Sequence, residues 1–250
     1  TFFETAAQHL VVAIFQLVHD RIGQAFFCGI DNARIVCHSF HFAHANVLFG
    51  GQVKANKVSK DDADGVARLL LDKAVFYIVP NMNPDGSRRG HLRTNACGAN
   101  LNREWGIATM DRSPEVSLVM AEMKRTGVDF CLDVHGDEAL PYNFIAGAEG
   151  VPSFDKKGKK LLKHFKKAYK RFSPDFQTKY GYDETPAGTA NLTYATNYIA
   201  ETHKCLAMTL EMPFKDNANL PDFGYGWSPE RASGLGADVL GAMLAVVDDL

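Results

Sequence analysis

The sequence predicts an α/β fold, and three observations carry that prediction. From Asp61 onward, short apolar runs alternate with amphipathic stretches, with turn clusters between them. Three of the runs, "AVFYIVP" (74–80), "FCLDV" (130–134) and "CLAMTLEMP" (205–213), are bounded by turns and read as buried strands. Ser113-Pro114-Glu115 and Ser228-Pro229-Glu230 each offer a Ser N-cap, a Pro at the first helical position and an acid in the first turn, so a helix starts at both.

Composition narrows the class. A chain of 250 residues, 46 % hydrophobic and 22 % charged, suits one large or two small soluble domains. A net charge of −2 supplies no field for nucleic acid, and no such partner is expected. The 5 cysteines are odd in number and widely spaced and form no C-x-x-C pair, which points to a reducing, cytoplasmic setting. "LVVAIFQLV" (10–18) is too short to span a bilayer and no Lys or Arg precedes it, so neither a membrane segment nor a targeting peptide is expected.

In chain order, residues 1–60 stand apart. "FFETAAQHLVVAIFQLV" could form a helix, but "CHSFHFAHANVLFGGQVKANKVSK" has no clean period, and composition shifts near Lys60. We expect a boundary there, with 1–60 a divergent or mistranslated segment. After the strand at 74–80 comes a long polar loop (81–105) rich in Asn, Arg and Gly. Loops at strand ends in α/β sheets bind ligands, and Arg forks match carboxylates, so an anion site is the economical reading. "NPDG" alone is a common turn signal, whereas the spacing R-T-N-x-x-G-x-N-L-N-R is too structured for a solvated loop. Between Phe154 and Phe172, apolar residues recur at helical spacing among nine lysines and arginines. That basic helix is either a solvated outer face or the partner of an acidic substrate tail.

"VDFCLDVHGDE" (128–138) delivers His135 from a strand into a turn of glycine and acids. A single His there is ordinarily just hydrogen-bonded, and Glu211 in "TLEMPF" would ordinarily be an edge carboxylate. Their ordered combination with "NPDG" and "RTNACGANLNREW" resembles the zinc metallocarboxypeptidases of the carboxypeptidase A and B type, and most closely their cytosolic branch. The resemblance covers about residues 61–250. It implies a carboxypeptidase-like catalytic domain over 61–250, with a mixed, mostly parallel sheet that carries helices on both faces and is incomplete at the N-terminus. It also implies zinc as the cofactor, and a peptide or protein C-terminus, possibly acidic, as the substrate.

Carried over by position, the resemblance makes His135 a zinc ligand and Glu211 the general base. Arg93 would stabilise the oxyanion, and Asn102 and Arg103 would hold the terminal carboxylate. Zinc-promoted attack of water needs such a set: a metal that acidifies water, a carboxylate that relays its proton, and a cation facing the developing charge. Asp133 and Asp137 flank His135, and either could accept from its second ring nitrogen. Tyr194 and Tyr198 lie where some relatives place a catalytic phenol, but no spacing singles either out.

The family's other two zinc ligands come from an upstream H-x-x-E, usually "HPGE". His9, His19, His38, His41 and His44 are followed at the third position by Val12, Ile22, His41, His44 and Val47, so the motif is absent. Three accounts compete. The N-terminal stretch could be a frameshifted translation, His38 and His41 could replace the pair, or the chain could be a silent relative that binds C-terminal carboxylates without zinc.

Overall fold

The structure is a computed structural model that describes residues 9–15, 65–79 and 81–250, with backbone alone for 9–15 and Leu71. In chain order the elements are β1 (His9–Phe15), α1 (Gly65–Lys73), β2 (Ala74–Val79), α2 (Pro84–Arg89), a 3₁₀ turn (Leu101–Arg103), α3 (Pro114–Thr126), β3 (Phe130–Asp137) and β4 (Phe144–Gly147). They continue with α4 (Lys156–Phe172), α5 (Ala195–His203), β5 (Leu206–Pro213), α6 (Pro229–Val246) and a last 3₁₀ turn (Val247–Asp249). The strands form one sheet in the order β2-β1-β3-β5-β4. All neighbours pair parallel except β4, which runs antiparallel to β5. This is the expected mixed, mostly parallel sheet.

Alternation along each strand sorts side chains onto two faces. Phe130, Leu132 and Val134 of β3, with Leu206, Met208, Leu210 and Met212 of β5, bury against α1, α4 and α6. Their alternates, Cys131 and Ala207, face α3 and α5 in a second cluster that includes Val116, Met123 and Ile199. Helices therefore cover both faces, and the strands read as continuous apolar runs because neither face meets water. Each fully buried Leu or Phe contributes roughly 1.5–3 kcal/mol.

The expected helix at the N-terminus is not found over residues 9–15. That stretch is β1, the strand between β2 and β3. "HLVVAIF" has the β-branched, unbroken apolar character of a central parallel strand, and a run of seven cannot distinguish strand from helix by period alone. The composition shift near Lys60 lies outside the described residues, while β1 shares the sheet with strands from the later part of the chain.

Both Ser-Pro-Glu starts are helices, but they are capped differently. Ser228 accepts from the Arg231 N–H at 3.3 Å, as an N-cap should. Ser113 instead donates its hydroxyl to Glu104 Oε2 at 3.2 Å and makes no cap bond. The basic helix α4 begins at Lys156, capped by Asp155, which accepts from the Gly158 N–H at 2.8 Å. Leu161, Leu162, Phe165, Ala168 and Tyr169 form its buried face and the lysines lie outward, Lys166 reaching Glu149 at 3.7 Å. Among the described residues no helix is long and apolar enough to cross a membrane.

Candidate active site

β3 and β5 run parallel, and their register makes His135 and Glu211 direct partners at the carboxyl ends of the two strands. Residues two apart share a face. Asp133, His135 and Asp137 therefore fall on the face opposite Leu132 and Val134, and Glu211 joins them opposite Leu210 and Met212. Apolar packing of one face thus sets the chemistry of the other.

His135 Nε2 lies 2.9 Å from Asp133 Oδ2, and Nδ1 lies 3.7 Å from Glu211 Oε1. Asp133 is the acceptor behind the imidazole. Asp137 is committed elsewhere: its Oδ1 accepts from the Ala139 and Leu140 N–H groups at 2.7 and 2.6 Å, and its Oδ2 accepts from the Tyr182 hydroxyl. The same phenol oxygen is 3.4 Å from Glu211 Oε1. Nothing in the spacing of the sequence singled out Tyr182. The loop that brings it is tied down by Gln177, which accepts from the Lys179 and Tyr180 N–H groups and donates to the Asn143 and Tyr180 carbonyls. The Tyr182 ring then stands edge-on to Phe144, 4.9 Å between centroids, and Phe144 is the β4 partner of Glu211.

Burial pushes the Glu211 carboxyl up to about 7, helped by Asp137 and Asp133 and opposed by His135 and Tyr182. Burial alone would pull His135 down, but the charges of Asp133 and Glu211 and the Asp133 hydrogen bond raise it to about 9. Burial also raises Tyr182, as do the neighbouring carboxylates, so it stays a neutral phenol. Two buried oxygens, Asp133 Oδ1 and Glu211 Oε2, have no hydrogen-bond partner among the described residues. The cluster has more anionic capacity than its single imidazole balances.

The other expected site residues hang on the loops after β2, and asparagine side chains build those loops. Asn83 caps α2 by accepting from the Gly86 N–H at 3.0 Å and donates to the Thr94 carbonyl at 3.1 Å, which joins "NPDG" to "RTN". Asn95 accepts from the Cys97 and Ala99 N–H groups, both at 3.0 Å, and Gly98 turns the chain at φ 78°. Asn100 accepts from the Asn102 N–H at 3.2 Å. The R-T-N-x-x-G-x-N-L-N-R spacing is a self-bonded turn scaffold.

Arg93 extends from it into solvent, pairs with Glu138 at 3.0 Å, and its charge is felt at His135. Asn102 Oδ1 accepts from the Ala195 N–H at 2.8 Å, at the start of α5. The Arg103 guanidinium sits 3.8 Å from the Tyr194 ring centroid and donates to the Asn102 carbonyl. α5 is anchored to β5 through the hydroxyls of Thr196 and Thr209, 2.7 Å apart and two residues short of Glu211. Thus His135 and Glu211 touch, Arg93 acts on them through its field, and Asn102 and Arg103 stand one layer away beside α5.

The described part of this site suits zinc. Asp133 fixes the ring through Nε2 and leaves Nδ1 turned toward Glu211 and the site, where it would bind a metal once its proton is displaced. A catalytic site uses three protein ligands; among the described residues His135 is one candidate, and no cluster of three His, Cys, Asp or Glu side chains forms a metal site. His38, His41 and the place where H-x-x-E would stand lie outside the described residues.

A histidine and a buried carboxylate thus meet at the carboxyl edge of a mostly parallel sheet. The family profile of the zinc carboxypeptidases matches residues 58–232, and the chain belongs to that family. It is 56% identical over 190 residues to an uncharacterized protein of Zymomonas mobilis, covering 76% of this chain and 50% of that protein. Over 92 residues it is 30% identical to cytosolic carboxypeptidase 6 of Mus musculus, covering 33% of this chain and 16% of that one. The metallo-carboxypeptidase of Pseudomonas aeruginosa, solved with (2-guanidinoethylmercapto)succinic acid, is 36% identical with a TM-score of 0.81, covering 99% of this chain and 59% of that one. The chain spans half the length of the Zymomonas protein and about three fifths of the Pseudomonas structure.

Proposed function

We propose that this chain is a zinc-dependent metallocarboxypeptidase that hydrolyses the C-terminal peptide bond of peptides or proteins by promoted-water attack. The observation that carries the reading is the register pairing of His135 with a buried Glu211 whose carboxyl titrates near neutrality. Zinc, when bound, supplies the Lewis acidity that activates water and polarises the carbonyl. Glu211, poised at about 7, takes a proton from water and returns it to the leaving amine. Tyr182, held by its bond to Asp137, lies against the Glu211 carboxyl, and Asp133 fixes the His135 ring. Arg93 exchanges Glu138 for the oxygen on which negative charge develops. Arg103, stiffened against Tyr194, takes the terminal carboxylate together with Asn102.

The exposed lysines of α4 offer the charge that an acidic tail would meet, and the free thiols of Cys97, Cys131 and Cys205 accord with a cytoplasmic setting. We also propose that residues 61–250 are the catalytic domain and that 1–60 are divergent or mistranslated. Translating the encoding DNA ahead of Asp61 in all frames tests this, and "HPGE" in a neighbouring frame is the expected outcome.

A second reading, a silent relative that binds C-terminal carboxylates without zinc, is favoured by the single imidazole among the described residues of the site. Metal analysis with a release assay separates the two. The enzyme carries about one zinc per chain and releases the last residue of a free peptide but not of its C-terminal amide, and a chelator stops the release. A silent binder shows no zinc at neutral pH and retains the free peptide in preference to the amide.

A further inference from the structure

At the amino ends of β3 and β5, the edge of the sheet opposite His135 and Glu211, a cavity of about 190 Å³ opens between the start of α4 and the end of α5. Leu206 in its wall stands five positions before Glu211 on β5, about 16 Å away at roughly 3.3 Å per residue, so the cavity is no part of the active site. Val128, Val151, Leu161 and Leu206 form a buried apolar floor. Phe154 stands beside them and packs against both apolar clusters of the sheet, which fixes its ring from two sides. The volume lies below the roughly 300–1,000 Å³ of drug-sized sites, which limits an occupant to a small molecule.

The polar lining carries both signs of charge. Asp129 and Asp155 supply negative charge to the wall, and Lys157 and Lys204 supply positive charge. Burial holds the His203 imidazole below its usual value, so at neutral pH it adds a hydrogen-bonding group without charge. Asp155 gives one oxygen to the Gly158 N–H at 2.8 Å, and Lys157 makes no ion pair among the described residues. Lys204, by contrast, is held. It closes α5 at φ 55°, a backbone conformation that L side chains rarely adopt, donates its N–H to the Ala200 carbonyl at 2.9 Å and pairs with Glu201 at 2.6 Å. Glu201 also accepts from the Ser153 N–H at 2.9 Å, which ties the end of α5 to the segment leading into α4. The two walls are thus clamped together before any ligand arrives. A lone anion would meet two aspartates there and a lone cation two lysines. A molecule with one charge of each sign and an apolar group for the floor complements the whole lining.

We propose that this cavity binds a free apolar α-amino acid, with its carboxylate toward Lys157, its ammonium toward Asp155 and its side chain on the floor of Leu161 and Leu206. The ligand class follows from the cavity; that it is also the class of product released from a C-terminus rests on the carboxypeptidase reading. Isothermal titration calorimetry of the whole chain with L-leucine tests the cavity without turnover. Leucine should bind, while leucinamide and N-acetylleucine, which each lack one of the two charges, should bind about tenfold more weakly or worse. Lys157→Met/Asp155→Asn should weaken leucine by about the same factor. Both side chains are exposed, and Asn caps a helix as well as Asp does, so α4 stays intact. Arg103→Met, which removes the guanidinium proposed to hold a substrate carboxylate, should leave the leucine Kd unchanged. Four results would each overturn the cavity as this site: no binding at millimolar leucine, equal binding of N-acetylleucine, a Kd indifferent to the Lys157/Asp155 double substitution, or binding that Arg103→Met abolishes. Leucine binding that passes all four in a protein that releases no C-terminal residue would keep the cavity and remove the carboxypeptidase reading.

Discussion

Two acidic clusters, one at the carboxyl ends of β3 and β5 and one around Arg231 of α6, have opposite characters. Around Arg231, Asp175 and Asp216 are saturated: the guanidinium reaches both carboxylates, and Asn217 donates to the Asp175 carbonyl at 2.9 Å. Around His135, two carboxylates share one imidazole, and Asp133 Oδ1 and Glu211 Oε2 are left buried without partners among the described residues. A saturated cluster fixes a loop and does little else. An unsaturated one holds free energy that a cation or a proton can release, which is why perturbed carboxyls mark functional sites.

The contrast can be broken at several points. The largest effect is expected from Glu211→Gln, which should lower kcat by about 10²–10⁴ while metal analysis finds the zinc still bound. Unchanged turnover would remove Glu211 as the base. Next, Arg231→Met should destabilise the fold by about 3–5 kcal/mol, read from the urea midpoint, because it strands Asp175 and Asp216. The equivalent loss at the unsaturated cluster should be felt in the metal. Asp133→Asn is expected to weaken zinc binding about 10–100-fold in a competition titration.

A fourth prediction concerns pH in zinc-free protein. Glu211 keeps its proton up to about 7 when folded, whereas its usual value is 4.5. The stabilisation this gives is full below pH 4.5 and is lost as pH rises to about 7, so the urea midpoint should fall across that window. His135, raised from 6.5 to about 9, extends the decline in the same direction. Glu211→Gln should flatten the lower part of the curve. The smallest effect is expected from Tyr182→Phe, about 1 kcal/mol through the lost bond to Asp137, with kcat reduced less than tenfold.

Much of this was legible in the sequence because it depends on local patterns. The three apolar runs are β2, β3 and β5, and both prolines start helices where they should. His135 and Glu211 could be singled out because the ordered motifs around them resemble the zinc carboxypeptidases, although their contact follows from a register that no single strand encodes. The stretch at β1 could be taken for a helix because its six apolar residues after His9 fit either period, and only the gap between β2 and β3 decides. β4, four residues long, is too short to show a period at all. Tyr182 was illegible for a different reason. It stands 29 residues from Glu211, on a loop whose course is set by Gln177 and by stacking of Tyr142 on Tyr180. Sequence spacing cannot report a meeting arranged by long-range bonds.

The pairing of His135 with Glu211 also makes the site a report on how the sheet has zipped. Side chains alternate along a strand, so a slip of one residue between β3 and β5 would carry Glu211 to the far face, into the apolar layer under α4 and α6. A chain trapped in a wrong register therefore has no juxtaposed histidine and carboxylate. Strand registry and assembly of the site are therefore a single event.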